Sequence, residues 1–296
     1  MQEVDGLNER LAIDQRLRFA RHSSGLIQGL ITTPLCRGEF FLQGGHITHF
    51  EPQGEQPLLF LSRHSEFQPQ RPIRGGIPIC FPWFGPHPSD AAAPAHGLVR
   101  TLPWDVQHTQ VDQDEVVTIF LTAASPPWQL TYKMKLGRAL DLTLDIANLS
   151  DEAASCEIAL HTYLALADVD LASVHGLERQ TYYDKLTREM VEPSGVPIRF
   201  TQETDRIYRG PVDEVIVHDP GNRRLLRLVP RNSHSTVIWN PWVEKSRRLP
   251  DFGDDEFRFM CCVETANVAE DRLAVPAKSQ AELGVTLSVS PAPGSF

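Results

Sequence analysis

Apolar residues in this chain recur at every second position. Leu140, Leu142, Leu144 and Ile146 alternate with Asp141, Thr143 and Asp145. Leu130, Tyr132, Met134 and Leu136 form a second set, and Leu283, Val285, Leu287 and Val289 a third. Successive side chains of an extended strand point to opposite faces, so a period of two marks half-buried antiparallel strands. Denser apolar runs at 116–121, 225–229 and 236–239 fit strands buried on both faces. Helical patterns are scarce: only residues 9–19 and 243–248 qualify, both weakly. The prolines gather between the strand patterns, as at 78–94 and 126–127, where they punctuate loops. The pattern predicts an all-β chain, one large antiparallel β-sandwich over residues 1–296 with a loose tail at 291–296.

Composition narrows the function classes. A hydrophobic fraction of 41% suffices for a substantial core. No apolar run reaches the roughly 18 residues of a spanning helix. The charged start, MQEVDGLNERLAIDQRLRF, lacks the apolar stretch of a signal peptide. Five cysteines, with Cys261 and Cys262 adjacent, show neither a disulfide framework nor metal-like spacing. A reducing cytosol is therefore expected, with no membrane partner. The formal net charge of −10 argues against a nucleic-acid partner. It also means that an anionic ligand must be held by a local basic cluster.

Three segments carry chemistry. The first is Arg74–Arg100, a stretch rich in proline and glycine with Phe81, Trp83 and Phe84 inside it and an arginine at each end. A long loop of this kind is functional or disordered, and its aromatics oppose disorder. Gly75 and Gly76 permit a tight backbone approach beside Arg74, with amides available to an anion. A packed loop with salt-bridged arginines explains the same residues. The second is EIALHTYLALADV, where His161 ends an apolar strand pattern. Taken alone, such a histidine is more often a satisfied core or surface residue than a catalyst. The third is FMCCVETANV, where Glu264 emerges from an apolar run. Desolvation would raise its pKa and suit a general base near neutral pH, and a solvent-facing strand end is the plainer alternative.

Other residues add weaker signals. Trp239 and Trp242 could stack on a sugar or fill the core. His96 could donate to a sugar hydroxyl or brace its loop. Lys245, Arg247 and Arg248 read as a solvated charge cluster. No histidine pair has metal-ligand spacing on a credible helix, and neither a phosphate loop nor a nucleophile elbow occurs, so no metal and no cofactor is expected.

Taken together, the segments IRGGIPICFPWFGP (73–86), AHGLVRTLPWDV (95–106), LHTYLALADV (160–169), TDRIY (204–208), WNPW (239–242) and CVETANV (262–268) closely resemble the glucose-6-phosphate 1-epimerase family, the phosphosugar branch of the aldose 1-epimerases. FLQGGHITHFEP (41–52) and LLFLS (58–62) resemble the family's opening strands, so the likeness spans nearly the whole chain. It implies a galactose-mutarotase-like sandwich with a catalytic pair at His161 and Glu264. It also implies phosphate-binding arginines at Arg74 and Arg100, and a substrate-contacting Asp205. His96 and Trp239 join these as candidate sugar contacts. Ala95 stands where some members carry a glutamine that touches the sugar, and Leu164 replaces a common phenylalanine.

The resemblance implies an enzyme that interconverts the α and β anomers of glucose 6-phosphate; its expected partner is that small phosphosugar, and a monomer is expected. Opening the pyranose removes a proton from the anomeric hydroxyl and gives one to the ring oxygen. One base, Glu264, and one acid, protonated His161, suffice. In that assignment activity falls at low pH as Glu264 protonates and at high pH as His161 loses its proton. Three rivals remain at this stage: a non-catalytic carbohydrate-binding sandwich, a glycoside hydrolase or lyase, and a mutarotase for free sugars. Hydrolysis usually employs two carboxylates.

Overall fold

The computed structural model describes residues 3–292. The alternating segments are strands, and their apolar positions all point inward. Leu140, Leu142, Leu144 and Ile146 on the strand Leu140–Asn148 are fully buried. That strand pairs along its whole length with Trp128–Leu136 and on its other side with Gln280–Pro291. Each buried leucine or isoleucine contributes about 1.5–3 kcal/mol. Truncating one, such as Leu142→Ala, costs about 2–5 kcal/mol because a cavity is left behind.

Two eight-stranded sheets dominate, with antiparallel neighbours throughout. One runs in the order Ser173–His175, Val215–Asp219, Arg224–Arg231, Gln280–Pro291, Leu140–Asn148, Trp128–Leu136, Val117–Ser125, Asp105–Val111. The other runs Glu189–Val191, Tyr182–Asp184, Thr204–Arg209, Ser235–Asn240, Met260–Asn267, Ile158–Leu160, Ile79–Cys80, and Tyr163–Ala165 also pairs with Met260–Asn267. A four-stranded meander over residues 17–52 completes the main framework. One buried cluster draws on all three, from Phe19 and Ile47 through Leu130 and Val285 to Ile238 and Met260.

Several local expectations change. Ser235–Asn240 is buried on both faces, as expected. Arg224–Arg231 instead alternates, with Leu226 and Leu228 inward and Leu225, Arg227 and Val229 more exposed. The pattern at 9–19 splits: a helix covers Val4–Leu11, and a strand starts at Leu17. Leu7 anchors that helix, and Asn8 ties it to the strand by exchanging two hydrogen bonds with the backbone of Phe19. The second helix is the short Trp242–Ser246. The tail is not free at its start, since Pro291 pairs with Arg224 and the Ala292 amide donates to Arg223. Residues 293–296 lie outside the described residues. Among the described residues no helix is long and apolar enough to cross a membrane.

Candidate active site

Met260–Asn267 lies inside the second sheet with all eight residues buried. On one side its neighbour ladder is interrupted. Leu160 pairs with Thr265 and Tyr163 with Cys262, which leaves His161 and Thr162 opposite Val263 and Glu264. The Val263 amide donates to the Thr162 carbonyl, and the His161 amide turns away to Pro78. This break delivers the His161 ring to Glu264, with 3.3 Å between Nε2 and Oε1. On the other side, Trp239 pairs with Cys262 and Asp205 with Trp239. Strand alternation therefore sets Asp205, Trp239 and Glu264 on one face.

The Arg74–Arg100 segment folds over that face. Ile79–Cys80 pairs with Ile158–Leu160 and so joins the sheet. Gly76 has φ 62°, and a Cβ there would stand 2.1 Å from the Ile47 carbonyl oxygen, so only glycine fits. Its amide donates to the Phe60 carbonyl, so the close approach serves the fold and this amide is not offered to an anion. Arg74 is clamped from two directions. Nε and Nη2 each donate to Asp251 at 3.2 Å, and Nη1 donates to the Tyr163 hydroxyl at 3.1 Å. Arg100 is far less engaged: Nη2 donates to the Ala95 carbonyl at 2.6 Å, and Nε is buried without a partner. The His96 ring packs edge-on against Phe84 and His161.

All seven sequence-predicted residues, Arg74, His96, Arg100, His161, Asp205, Trp239 and Glu264, line one cleft of about 400 Å³. Sequence reasoning missed others. Lys185 lines the same cleft and pairs with Asp205 at 3.0 Å. Lys245, assigned to a solvated cluster, instead faces the cleft and pairs with Glu203, whereas Arg247 and Arg248 are exposed. Trp242 does not line the cleft and packs on Phe257. Tyr163 stacks on His161, and Asp251 is the counter-ion of Arg74. A buried arginine's need for a carboxylate was the one available signal for Asp251, without saying which.

A model of the family described as Aldose 1-epimerase matches residues 30–286. The chain belongs to the aldose 1-epimerase family. It is 32% identical over 251 residues to an Escherichia coli (strain K12) protein named "Putative glucose-6-phosphate 1-epimerase", covering 81% of this chain and 83% of that one. A protein of the same name from Cenchrus ciliaris is 29% identical over 279 residues, covering 88% and 83%. The crystal structure of "a putative mutarotase (YeaD)" from Salmonella typhimurium superposes with TM-score 0.87 at 26% identity, covering 95% of this chain and 96% of that one.

In this aldose 1-epimerase family member the cleft perturbs its own ionisable groups. Burial raises the pKa of Glu264 well above the carboxylate range; Lys185 opposes that shift and Asp205 reinforces it. Burial lowers His161 well below the imidazole range, and His96, Arg74 and Arg100 lower it further. His96 falls to about 3, from burial first and then from Arg100, Lys185 and Arg74. Both shifts favour the uncharged forms, with the pair's proton on Glu264 and the imidazole neutral. This differs from the sequence assignment of carboxylate and imidazolium by the position of one proton across the 3.3 Å contact. His161 Nδ1 and Glu264 Oε2 are buried without partners. Unpartnered buried polar atoms are costly, and their presence beside a cleft marks groups held ready for a ligand.

Proposed function

We propose that this protein is a hexose-6-phosphate mutarotase that interconverts the α and β anomers of glucose 6-phosphate, with His161 and Glu264 as its acid–base pair. The observation that carries this reading is a buried imidazole–carboxyl pair sharing one cleft with an incompletely satisfied arginine. Arg74 and Arg100 take the phosphate. Guanidinium groups match phosphate oxygens in a bidentate fork, which offsets the unfavourable net charge.

Glu264 removes the proton from the anomeric hydroxyl while His161 protonates the ring oxygen, and the C1–O5 bond breaks. The aldehyde rotates about C1–C2 and the ring recloses with the roles exchanged. The pair carries one proton in total at the start and at the end. A bound phosphate dianion offsets Arg74 and Arg100, two of the charges that disfavour the imidazolium. Binding thus favours moving the shared proton from Glu264 to His161, into the form that reacts. Asp205, His96 and Trp239 contact the sugar.

The working unit in this reading is a monomer. The five cysteines are buried and unpaired, which fits a cytosolic setting. The test is two-dimensional exchange NMR on equilibrated glucose 6-phosphate with and without protein. Faster exchange between the anomeric protons is expected. Unaltered exchange sinks the reading, and equal acceleration of free glucose selects the free-sugar mutarotase instead.

A further inference from the structure

Lys185 follows the strand Tyr182–Asp184, and its amide donates to the Asp205 carbonyl. Its ammonium lies 3.0 Å from Asp205 Oδ1 and 5.3 Å from the centre of the Phe84 ring. It thereby bridges the sheet wall of the cleft and the Arg74–Arg100 segment. An ammonium has three donors, and these two partners occupy two directions. No third side-chain partner is present among the described residues. The opposing carboxylate retains acceptor capacity. A donor and an acceptor side by side at a cleft wall match a sugar hydroxyl, which accepts from one and donates to the other.

Strand order, taken with the proposed acid–base pair and phosphate site, points to one hydroxyl. Across the sheet run the strand before Lys185, then the strands of Asp205, Trp239 and Glu264, then the segment of His161 and Tyr163. Arg74 is bound to Tyr163, on the His161 side. Lys185 and Asp205 thus lie on the opposite side of Glu264 from Arg74. The pyranose has the same order of groups: phosphate on C6, ring oxygen, anomeric hydroxyl, then the C2 hydroxyl. With phosphate at the arginines, ring oxygen at His161 and anomeric hydroxyl at Glu264, C2 falls at Asp205 and Lys185.

We propose that Lys185 and Asp205 clamp the C2 hydroxyl of the substrate, and that Lys185 excludes hexose phosphates bearing an ammonium at C2. This rests on the hexose-phosphate reading above. An ammonium has no lone pair for Lys185 to donate to, and it can donate to Asp205 only by displacing the Lys185 ammonium 3.0 Å away or by lying against it. A 2-deoxy sugar is tolerated better, because Lys185 and Asp205 then satisfy each other.

The experiment compares glucose 6-phosphate, 2-deoxyglucose 6-phosphate and glucosamine 6-phosphate by anomer exchange, for wild type and Lys185→Met. In wild type, kcat/KM for glucosamine 6-phosphate should be at least about tenfold below that for glucose 6-phosphate, with the deoxy sugar between. The gap should close as pH rises and the amine loses its charge, and this pH dependence should be lost in Lys185→Met. In Lys185→Met the gap should shrink to within about threefold. Because that variant leaves Asp205 unpaired, Lys185→Met/Asp205→Asn restores neutrality and should show the same loss of discrimination. Thermal melting reports whether each variant is folded. A wild type that does not discriminate, or discrimination that survives in both variants, overturns the clamp. A wild type that fails to accelerate exchange of glucose 6-phosphate overturns the mutarotase reading itself.

Discussion

Tyr163 lies flat against His161, with ring centroids 4.7 Å apart and planes 10° from parallel. The same tyrosine accepts a hydrogen bond from Arg74 through its hydroxyl. One side chain thus fixes the tilt of the proposed acid and one edge of the proposed phosphate site. Tyr163→Phe keeps the ring and removes the acceptor. It should raise KM for glucose 6-phosphate by up to about tenfold with little change in kcat, since Arg74 keeps both bonds to Asp251. Tyr163→Leu removes the stacking surface and should lower kcat. Steady-state kinetics on both variants check this; an equal kcat loss in each would show that the ring does not position His161.

Glu264→Gln should bind glucose 6-phosphate yet lose about 10²–10⁴ in exchange rate, the usual worth of a placed acid or base. His161→Asn should do the same. Retention of more than about half the wild-type rate in Glu264→Gln would require another base. Stability gives a second readout. The folded-state pKa of Glu264 is raised, so its contribution is fully present below the unfolded value and is lost as pH rises through the folded one. Gln lacks this titration, so the variant's Tm should gain on wild type as pH increases.

The pH profile of kcat/KM should be a broad bell. The active form carries one proton on the His161–Glu264 pair, and the two limbs belong to the pair. Adding a second proton charges the imidazole, which burial, His96, Arg74 and Arg100 oppose, so the acid limb lies below the ordinary imidazole range. Removing the last proton ionises Glu264, which burial opposes, so the alkaline limb lies well above the carboxylate range. This reverses the residue-to-limb assignment made from sequence. Arg100→Ala removes one opposing cation and should shift the acid limb upward. A limb unmoved by that change would count against the electrostatic account.

The alternating leucines of 130–146 were legible because strand burial is written locally, residue by residue, in a period of two. The half-buried character of Arg224–Arg231 was hidden because Leu225 and Val229 occupy its less buried face. The cleft residues were legible through their motifs, yet their meeting depends on register. His161 reaches Glu264 only because the ladder breaks between Leu160 and Tyr163. Lys185 was invisible for the same reason. Its place beside Asp205 follows from the pairing of Asp184 with Arg206, a contact between strands that no local pattern announces. The direction in which the pair's pKa values shift follows from burial, a tertiary property that no local pattern reports.

The two arginines should contribute unequally to phosphate selectivity. Arg74 enters binding already held by Asp251 and Tyr163, so its guanidinium is oriented but partly neutralised. Arg100 has one hydrogen bond to a carbonyl and a buried, unpartnered Nε, so a phosphate relieves an existing deficit there. A charge-assisted contact is worth about 1.5–3 kcal/mol, or roughly 10- to 150-fold in affinity. Arg100→Ala should therefore raise KM for glucose 6-phosphate by an amount in the upper part of that range, and Arg74→Ala by less. Arg74→Ala also strands Asp251 in a half-buried position, so its Tm should fall, whereas Arg100→Ala should melt near wild type. Any activity on free glucose should change little in Arg100→Ala, and that comparison separates phosphate recognition from general damage. Added salt should weaken phosphosugar binding in wild type more than in either variant, because screening acts on the charged contact. Equal loss on glucose and glucose 6-phosphate in Arg100→Ala would make that arginine a structural residue and leave phosphate selectivity unexplained by this cleft.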